Sequence, residues 1–226
     1  MIMKISREQL AKMIDSTNVR ATATRSEIET LCKETVQHGF GCVCVNPIYV
    51  KLAASLLKGS CVKLSSTVGF PFGASLSEIK ALEAIKAVED GADELDMVIN
   101  LGALKSGDYD AVKRDIAAVV DTKHLSKEII VKVIIETAHL TASEKIAACK
   151  LAKGAGADFV KTSTGFFGKG ATVEDVRLMR QVVGKNMGVK AAGGIRTYAE
   201  ALAMIEAGAN RIGTSSGVAI VKETPP

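Results

Sequence analysis

Short apolar runs alternate with amphipathic stretches along the whole chain. Cys42-Val-Cys-Val45 is apolar at every position, as is typical of a strand that is covered on both faces. The stretch that follows it begins with Pro47, and proline is favoured in the first turn of a helix. The pattern therefore predicts strands and helices in strict alternation.

The same reasoning assigns the remaining elements. The predicted strands are 13–17, 42–45, 62–68, 94–99, 129–135, 158–161, 189–192 and 211–214. The predicted helices are 6–14, 24–37, 47–58, 76–90, 109–124, 142–153, 173–183 and 198–207.

A weak internal repeat supports this alternation. Asp90-Gly-Ala-Asp93, Ala155-Gly-Ala-Asp158 and Ala207-Gly-Ala-Asn210 each end a predicted helix and precede a predicted strand. Glycine fits the left-handed position after a helix, and the Asp or Asn then begins the next strand.

The regular βα units favour an α/β fold, namely a single (β/α)8 TIM barrel with a short N-terminal helix. One domain is expected to span residues 1–226, since no linker rich in proline, glycine or serine divides the chain. A doubly wound sheet is the alternative, although it seldom needs eight such regular units.

Composition narrows the class of protein. The 226 residues are 47% hydrophobic and 24% charged, with a net charge of +4 and no block of like charges, so no nucleic-acid partner is expected. The first residues carry charges where a signal peptide needs an apolar run, and no long apolar window follows, so a cytoplasmic protein without a membrane partner is expected. Five cysteines without a CxxC pair predict reduced thiols rather than disulfides or a zinc site.

Side-chain alternation sorts each predicted strand into two faces. In strand 94–99 the alternate residues Leu95, Met97 and Ile99 are apolar and are expected to face the helices. Asp96 then faces the inside of the barrel.

The next three strands direct further charged residues inward. By the same alternation the inward residues include Lys132, Glu136, Lys161 and Lys190. A single strand lysine is more often a surface residue whose ammonium reaches water, but three lysines and Asp96 in one interior cannot be buried at no cost. Clustered like charges are expected to lower a lysine pKa, as a Schiff-base nucleophile requires.

Two glycine-rich turns follow the last two predicted strands. They read Ala192-Gly-Gly-Ile-Arg196 and Gly213-Thr-Ser-Ser-Gly217. Glycines let backbone N–H groups approach an anion, and barrels commonly hold phosphate at these loops. The turns therefore predict a phosphate site, with tight turns of no further role as the alternative.

Five segments together resemble one known family. Leu95-Asp-Met-Val-Ile-Asn100, Val131-Lys-Val-Ile-Ile-Glu-Thr137, Phe159-Val-Lys-Thr-Ser-Thr-Gly165, Lys190-Ala-Ala-Gly-Gly-Ile195 and Gly213-Thr-Ser-Ser-Gly217 are similar to those of deoxyribose-phosphate aldolase, a class I aldolase on a (β/α)8 barrel. The resemblance covers nearly the whole chain and keeps the order of the motifs.

The resemblance implies an activity and roles for the inward residues. The family reversibly cleaves 2-deoxy-D-ribose 5-phosphate into D-glyceraldehyde 3-phosphate and acetaldehyde, without metal or cofactor. By resemblance Lys161 forms the Schiff base, Lys190 lowers the pKa of Lys161 and joins a proton relay, Asp96 donates and accepts protons, and Lys132 supports the network.

The resemblance also implies the groups that bind the sugar phosphate and the state of assembly. The substrate- and phosphate-binding residues are expected to be Asp15, Thr17, Thr164, Gly165, Gly193, Gly194, Gly213, Ser215 and Ser216. A homo-oligomer, dimer or tetramer, is expected.

Three positions depart from the family pattern. Ser16 stands where the family commonly has His, Ala192 stands where a serine is usual, and loop 166–170 is unusually aromatic. Altered specificity, or a phosphosugar-binding barrel without catalysis, is therefore an alternative function. A third is another Schiff-base lyase of the transaldolase type, with a ketose donor.

Two further residues receive modest predictions. Cys44 lies two residues after Cys42 and so faces the same side of the strand. It is expected at the barrel mouth, as an inert buried thiol rather than a reactive one. His139 follows strand 129–135 and is expected to be a solvated loop residue rather than a substrate contact.

Overall fold

Eight parallel strands close into a barrel in chain order, so the predicted (β/α)8 barrel is confirmed and the doubly wound alternative is wrong. The computed structural model describes residues 5–125 and 129–224, and the remainder of the predicted domain 1–226 lies outside that part. The strands are β1 (Ile14–Asn18), β2 (Cys42–Val45), β3 (Lys63–Val68), β4 (Glu94–Val98), β5 (Ile130–Ile134), β6 (Phe159–Lys161), β7 (Gly188–Ala192) and β8 (Arg211–Thr214).

Helices follow the strands around the outside of the barrel. They are α1 (Arg7–Met13), α2 (Arg25–His38), α3 (Val50–Leu57), α4 (Ser77–Glu89), α5 (Leu101–Lys105), α6 (Tyr109–Val120), α7 (Ala142–Gly154), α8 (Val173–Val183), α9 (Tyr198–Glu206) and α10 (Gly217–Lys222). Short 3-10 helices cover Pro47–Tyr49, Asp121–Leu125 and Thr137–His139. Within the described ranges no helix is both long and apolar enough to cross a membrane.

Most predicted elements lie within a few residues of the observed ones, and two short helices were missed. The five residues of α5 include Gly102, which weakens the helical signal. The side chain of Asn100 nevertheless accepts a hydrogen bond from the N–H of Ala103 at 3.0 Å and so begins the helix. The six residues of α10 directly follow a glycine-rich turn, and this helix is too short for a periodic pattern to develop.

The internal repeat has one structural meaning at all three of its positions. Asp93, Asp158 and Asn210 each donate a backbone hydrogen bond to the second residue of the preceding strand and accept one from its N–H through the side chain. The three pairs are Asp93 with Leu64, Asp158 with Val131, and Asn210 with Val189, with N–O distances of 2.8–3.0 Å. The repeat therefore fixes the register of β3 with β4, of β5 with β6 and of β7 with β8.

The main core lies between the sheet and the helices, as side-chain alternation predicts. Leu95, Met97 and Ile99 are fully buried in it, and so are Val131 and Val133. The opposite face of the same strands is left for the polar interior.

A buried ion pair connects two helices to the end of β4. Lys80 of α4 lies 2.7 Å from the carboxylate of Asp115 in α6, and the two side chains are 0% and 1% exposed. Lys80 also donates to the carbonyl of Val98 at 2.9 Å. Asp115 accepts from the N–H of Asn100 at 3.1 Å, so the pair holds the chain just beyond Asp96.

Replacing Asp115 by alanine should therefore destabilise the barrel. Burial lowers the pKa of Lys80 and Asp115 opposes that effect, so removing the carboxylate leaves an unpaired cation in the core. We expect the free energy of unfolding in urea to fall by about 3–5 kcal/mol. The double variant Lys80→Met, Asp115→Leu should recover most of that loss. An Asp115→Ala variant as stable as the unaltered protein would contradict this role.

Candidate active site

Asp96 joins the three inward lysines in one cluster. Its Oδ1 atom lies 2.8 Å from Nζ of Lys132, and its Oδ2 atom lies 2.7 Å from Nζ of Lys161 and of Lys190. The hydroxyl of Ser65 donates to Oδ1 at 2.9 Å. The strand register explains the convergence, because Asp96 pairs with Lys132 and Lys161 pairs with Lys190.

Three further charged residues lie next to this cluster, toward the amino ends of their strands. Asp15 contacts Lys190 at 2.5 Å and Arg211 at 2.6 Å. Glu94 contacts Lys132 at 2.5 Å and Arg211 at 3.3 Å. Among the described residues, this ion-pair network thus joins three lysines and one arginine to three carboxylates.

Glu94 and Arg211 were missed by the sequence analysis. Glu94 has the same parity as Asp96, so alternation could have identified it. Arg211 pairs with Lys190 in the register of β7 and β8, and that register is not visible in the sequence alone.

The carboxylates reverse the expected effect on two of the lysines. Burial lowers the pKa of Lys190, but Asp15 and Asp96 outweigh it and raise the pKa above its ordinary value. The same competition raises the pKa of Lys132, through Asp96, Glu94 and Asp15. Lys132 and Lys190 are therefore held as cations. Lys132 does lower the pKa of Lys190, as expected for clustered lysines, but the carboxylates outweigh that effect.

Lys161 differs from the other two lysines in its access to solvent. It lines a cavity of about 510 Å³ at the carboxyl end of the barrel, whereas Lys132 and Lys190 do not. Lys161 is 4% exposed and the other two are 0% exposed. Of the three lysines, Lys161 alone can meet a molecule bound in this cavity.

The cavity contains most of the residues predicted to bind substrate and phosphate. Its wall includes Thr17, Thr164, Gly165, Gly193, Gly194, Gly213 and Ser215. Asp15 and Ser216 are not part of the wall, and Asp15 instead lies fully buried between Lys190 and Arg211. Sequence reasoning missed Arg20 and Arg196, which also line the cavity. The described lining residues include no carboxylate, so the wall favours an anionic ligand.

Two glycines permit the close packing of this wall. A Cβ on Gly170 would lie 2.0 Å from the carbonyl oxygen of Gly193, so the loop after β6 rests directly on the turn after β7. A Cβ on Gly213 would lie 2.9 Å from Cβ of Ala192 and 3.0 Å from Cε of Lys190.

The departures from the family pattern have different positions. Ser16 lies two residues after Ile14 and so faces the same side of β1. Ile14 belongs to the core between sheet and helices, and Ser16 does not line the cavity. Ala192 does line it, so the missing hydroxyl there affects the wall itself.

The aromatic loop 166–170 packs against the loops of two other strands. Phe166 meets Phe70 edge to face, with ring centroids 5.4 Å apart. Phe167 lies 5.5 Å from both Phe72 and His139. His139 is exposed and is not a wall residue, in agreement with its predicted loop position.

Two further features concern thiol and metal chemistry. Cys44 is fully buried and does not line the cavity, and burial raises the pKa of its thiol, in agreement with the predicted inert thiol. Asp15, Cys42 and Glu94 have potential metal-ligand atoms within 4.8 Å of one another. Lys132 and Arg211 already pair with these carboxylates, so an added cation would meet two positive side chains.

Asp15 should make stability depend on pH in the acid range. Burial alone raises its pKa, but Lys190, Arg211 and Lys132 outweigh burial and lower the pKa from 3.8 to about 2. The stabilisation is complete above the unfolded value and is lost as the pH falls toward 2, with a size of about 2 kcal/mol.

We expect Asp15→Asn to be less stable at pH 7 and to lose less stability between pH 4 and pH 2 than the unaltered protein. Urea unfolding at several pH values measures both quantities. Equal acid dependence in the two proteins would contradict this assignment.

Comparison with known proteins identifies the family. The model of the DeoC/LacD family aldolases matches residues 9–223. Deoxyribose-phosphate aldolase from Thermococcus gammatolerans is 67% identical over 215 residues, covering 94% of this chain and 95% of that protein. Its counterpart from Thermococcus kodakarensis is 61% identical over 223 residues, covering 98% and 99%.

A solved structure gives the same result. The deoxyribose phosphate aldolase from Aeropyrum pernix, described as having a unique tetrameric structure, superposes with a TM-score of 0.89 at 37% identity and covers 96% of this chain and 91% of that one. The chain belongs to the DeoC/LacD family of aldolases.

Proposed function

We propose that this protein is a class I aldolase that reversibly cleaves 2-deoxy-D-ribose 5-phosphate to D-glyceraldehyde 3-phosphate and acetaldehyde. The observation that carries the proposal is the access of Lys161 to the cavity, combined with its 2.7 Å contact to Asp96. The names of its close relatives support the same activity.

In the proposed first step the amine of Lys161 attacks the carbonyl carbon of the open-chain sugar. The carbinolamine then loses water to give a protonated imine, which is an electron sink. Oδ2 of Asp96 contacts both Lys161 and Lys190, so it can pass protons between the amine and the reacting oxygen.

Carbon–carbon cleavage follows from the imine. Removal of the proton from the hydroxyl on C3 breaks the C2–C3 bond and releases D-glyceraldehyde 3-phosphate. The bonding electrons move into the imine and leave an enamine on Lys161. Protonation of the enamine at C2 and hydrolysis then release acetaldehyde and restore the amine.

Lys132 and Lys190 have supporting roles in this proposal. Because the carboxylates raise the pKa of both, they remain cationic and stabilise Asp96 as a carboxylate. Lys190 shares the Oδ2 atom of Asp96 with Lys161, whereas Lys132 contacts Oδ1, so Lys190 is the relay partner.

The other end of the cavity is suited to the phosphate. Gly193 and Gly194 form a turn with φ values of 89° and 79°, a left-handed geometry that forms concave anion sites from backbone N–H groups. Arg20 and Arg196 add positive charge to the same wall. A phosphate held there positions the carbonyl end of the sugar toward Lys161.

We propose in addition that the protein forms a homo-oligomer. The Aeropyrum pernix relative is described as tetrameric, and large apolar side chains such as Phe72, Leu76 and Leu82 are more than half exposed. Light scattering at several protein concentrations measures the state. The predicted cytoplasmic location remains a prediction.

Borohydride reduction in the presence of acetaldehyde tests the nucleophile. We expect one ethyl group on Lys161, located by peptide mass spectrometry. In Lys161→Leu, which lacks the nucleophile, we expect cleavage activity to fall by roughly a thousandfold or more. Lys190→Leu is the comparison variant: it retains the nucleophile and removes the proposed relay partner, so it should lose activity too, while any trapped ethyl group should still be on Lys161.

Each rival function gives a different result in this experiment. A binding protein without catalysis would bind the sugar phosphate but trap no imine. A transaldolase-type enzyme would require a ketose donor instead of acetaldehyde. Full activity in Lys161→Leu would refute the proposal.

Gly170→Ala tests the phosphate end. Because the new Cβ would collide with the carbonyl of Gly193, we expect KM for 2-deoxyribose 5-phosphate to rise by roughly tenfold or more, with a smaller change for unphosphorylated 2-deoxyribose. Gly154→Ala is the control. Gly154 ends α7 with open space around it, so this variant should not alter KM for either sugar. Unchanged KM in Gly170→Ala would place the phosphate elsewhere.

A further inference from the structure

Glu136 has an unfavourable backbone conformation at the end of β5. Its φ of 52° is the only positive value at a non-glycine residue in the described ranges. The flanking N–H groups of Ile135 and Thr137 donate to the carbonyls of Lys161 and Thr162 at 3.0 and 2.9 Å. These bonds on both sides hold the strained residue in place, and such strain in a native protein is commonly retained for function.

The side chain of Glu136 is fully buried and is directed at Thr164. Its Oε2 atom accepts from the N–H of Thr164 at 2.9 Å and from the hydroxyl of Thr164 at 2.5 Å. Its Oε1 atom is buried without a hydrogen-bond partner among the described residues. Both hydrogen bonds to the carboxyl group thus serve one residue of the cavity wall.

These contacts determine what the hydroxyl of Thr164 can still do. The N–H of Phe166 donates to this oxygen at 3.2 Å. The hydroxyl has one proton and two lone pairs. The proton goes to Glu136 and one lone pair to Phe166, so a single lone pair remains. Toward the cavity Thr164 can therefore only accept a hydrogen bond.

Thr164 lies between the two ends of the cavity. It follows Lys161 by three residues and precedes Gly165, whose added Cβ would be 3.9 Å from Cα of Gly193 in the phosphate turn. A sugar phosphate that spans from Lys161 to this turn presents its middle carbons to Thr164. An oxygen that only accepts would bind a hydroxyl there and would disfavour a carbonyl or phosphate oxygen.

We propose that Glu136 is a positioning residue that makes the cavity select acceptor aldehydes with a hydroxyl on the carbon next to the carbonyl. It acts by holding Thr164 as a hydrogen-bond acceptor. The inference rests on the proposed aldolase function and adds the basis of its selectivity. The phosphate turn offers the donors of its backbone N–H groups to a ligand, whereas the Thr164 position of the wall offers an acceptor.

The experiment compares two acceptors in aldol addition with acetaldehyde. One is D-glyceraldehyde 3-phosphate and the other is 3-phosphooxypropanal, which lacks only the hydroxyl. We expect the unaltered protein to prefer the hydroxylated acceptor by roughly tenfold or more in kcat/KM.

The variants separate selectivity from general damage. Glu136→Met removes both acceptor oxygens at similar length and should reduce the preference to within about threefold of unity. Glu136→Gln retains an acceptor oxygen and should keep most of the preference. Thr164→Val should lose the preference as Glu136→Met does, and combining the two should add little. Should Glu136→Met not fold, Glu136→Gly, which suits the left-handed backbone, carries the same prediction.

The outcomes distinguish this inference from the proposed function. Equal losses with both acceptors in Glu136→Met, at unchanged preference, would mean a purely structural role and overturn the inference. If the unaltered protein showed no preference for the hydroxylated acceptor, the inference would also be overturned. Borohydride trapping on Lys161 would still support the aldolase function in that case. Absence of trapping in the unaltered protein would remove the proposed function and the inference with it.

Discussion

The shared carboxylate of Asp96 is the interaction on which the interior of this barrel depends. Lys132 and Lys190 are 0% exposed, and a buried ammonium without a partner would cost several kcal/mol. Asp96 divides its oxygens between them, with Oδ1 on Lys132 and Oδ2 on Lys190 and Lys161. No single pair in this cluster is separable from the others, since each carboxylate that neutralises one lysine also fixes the position of another.

The same arrangement separates a reactive end from a supporting end. Asp15, Glu94 and Arg211 lie toward the amino ends of their strands, where the two carboxylates pair with Arg211 and with Lys190 or Lys132. Lys161 has a single ion pair among the described residues and reaches the cavity. The number of ion pairs per cation is therefore higher for Lys132, Lys190 and Arg211 than for Lys161. A substrate carbonyl in the cavity therefore meets the amine of Lys161 alone, because Lys132 and Lys190 are held by ion pairs to the buried carboxylates.

Much of the fold and part of the site could be predicted because strand alternation and helix capping are local properties. Parity alone placed Asp96 and Lys161 inside the barrel, and the Gly-Ala-Asp repeat marked strand starts whose side chains prove to fix register. Contacts between strands far apart in sequence could not be predicted in this way. Asp15 of β1 meets Arg211 of β8 only because the sheet closes and places β1 beside β8. The direction of the pKa shifts of Lys132 and Lys190 depends on how close Asp96, Asp15 and Glu94 come to these lysines, which only the closed barrel determines.

Glu136 shows a different limit of sequence reasoning. Parity directed it inward, but neither its left-handed backbone nor its unpaired oxygen is encoded by local propensity, since both are unfavourable for glutamate. Glycine or asparagine would suit that backbone better. Glycine would remove the carboxyl that Thr164 contacts through two hydrogen bonds. The side chain of asparagine is one methylene group shorter than that of glutamate, so its oxygen would not reach the same position. The backbone cost is therefore best explained by what the side chain does at the cavity wall, where it fixes the direction of one hydroxyl proton.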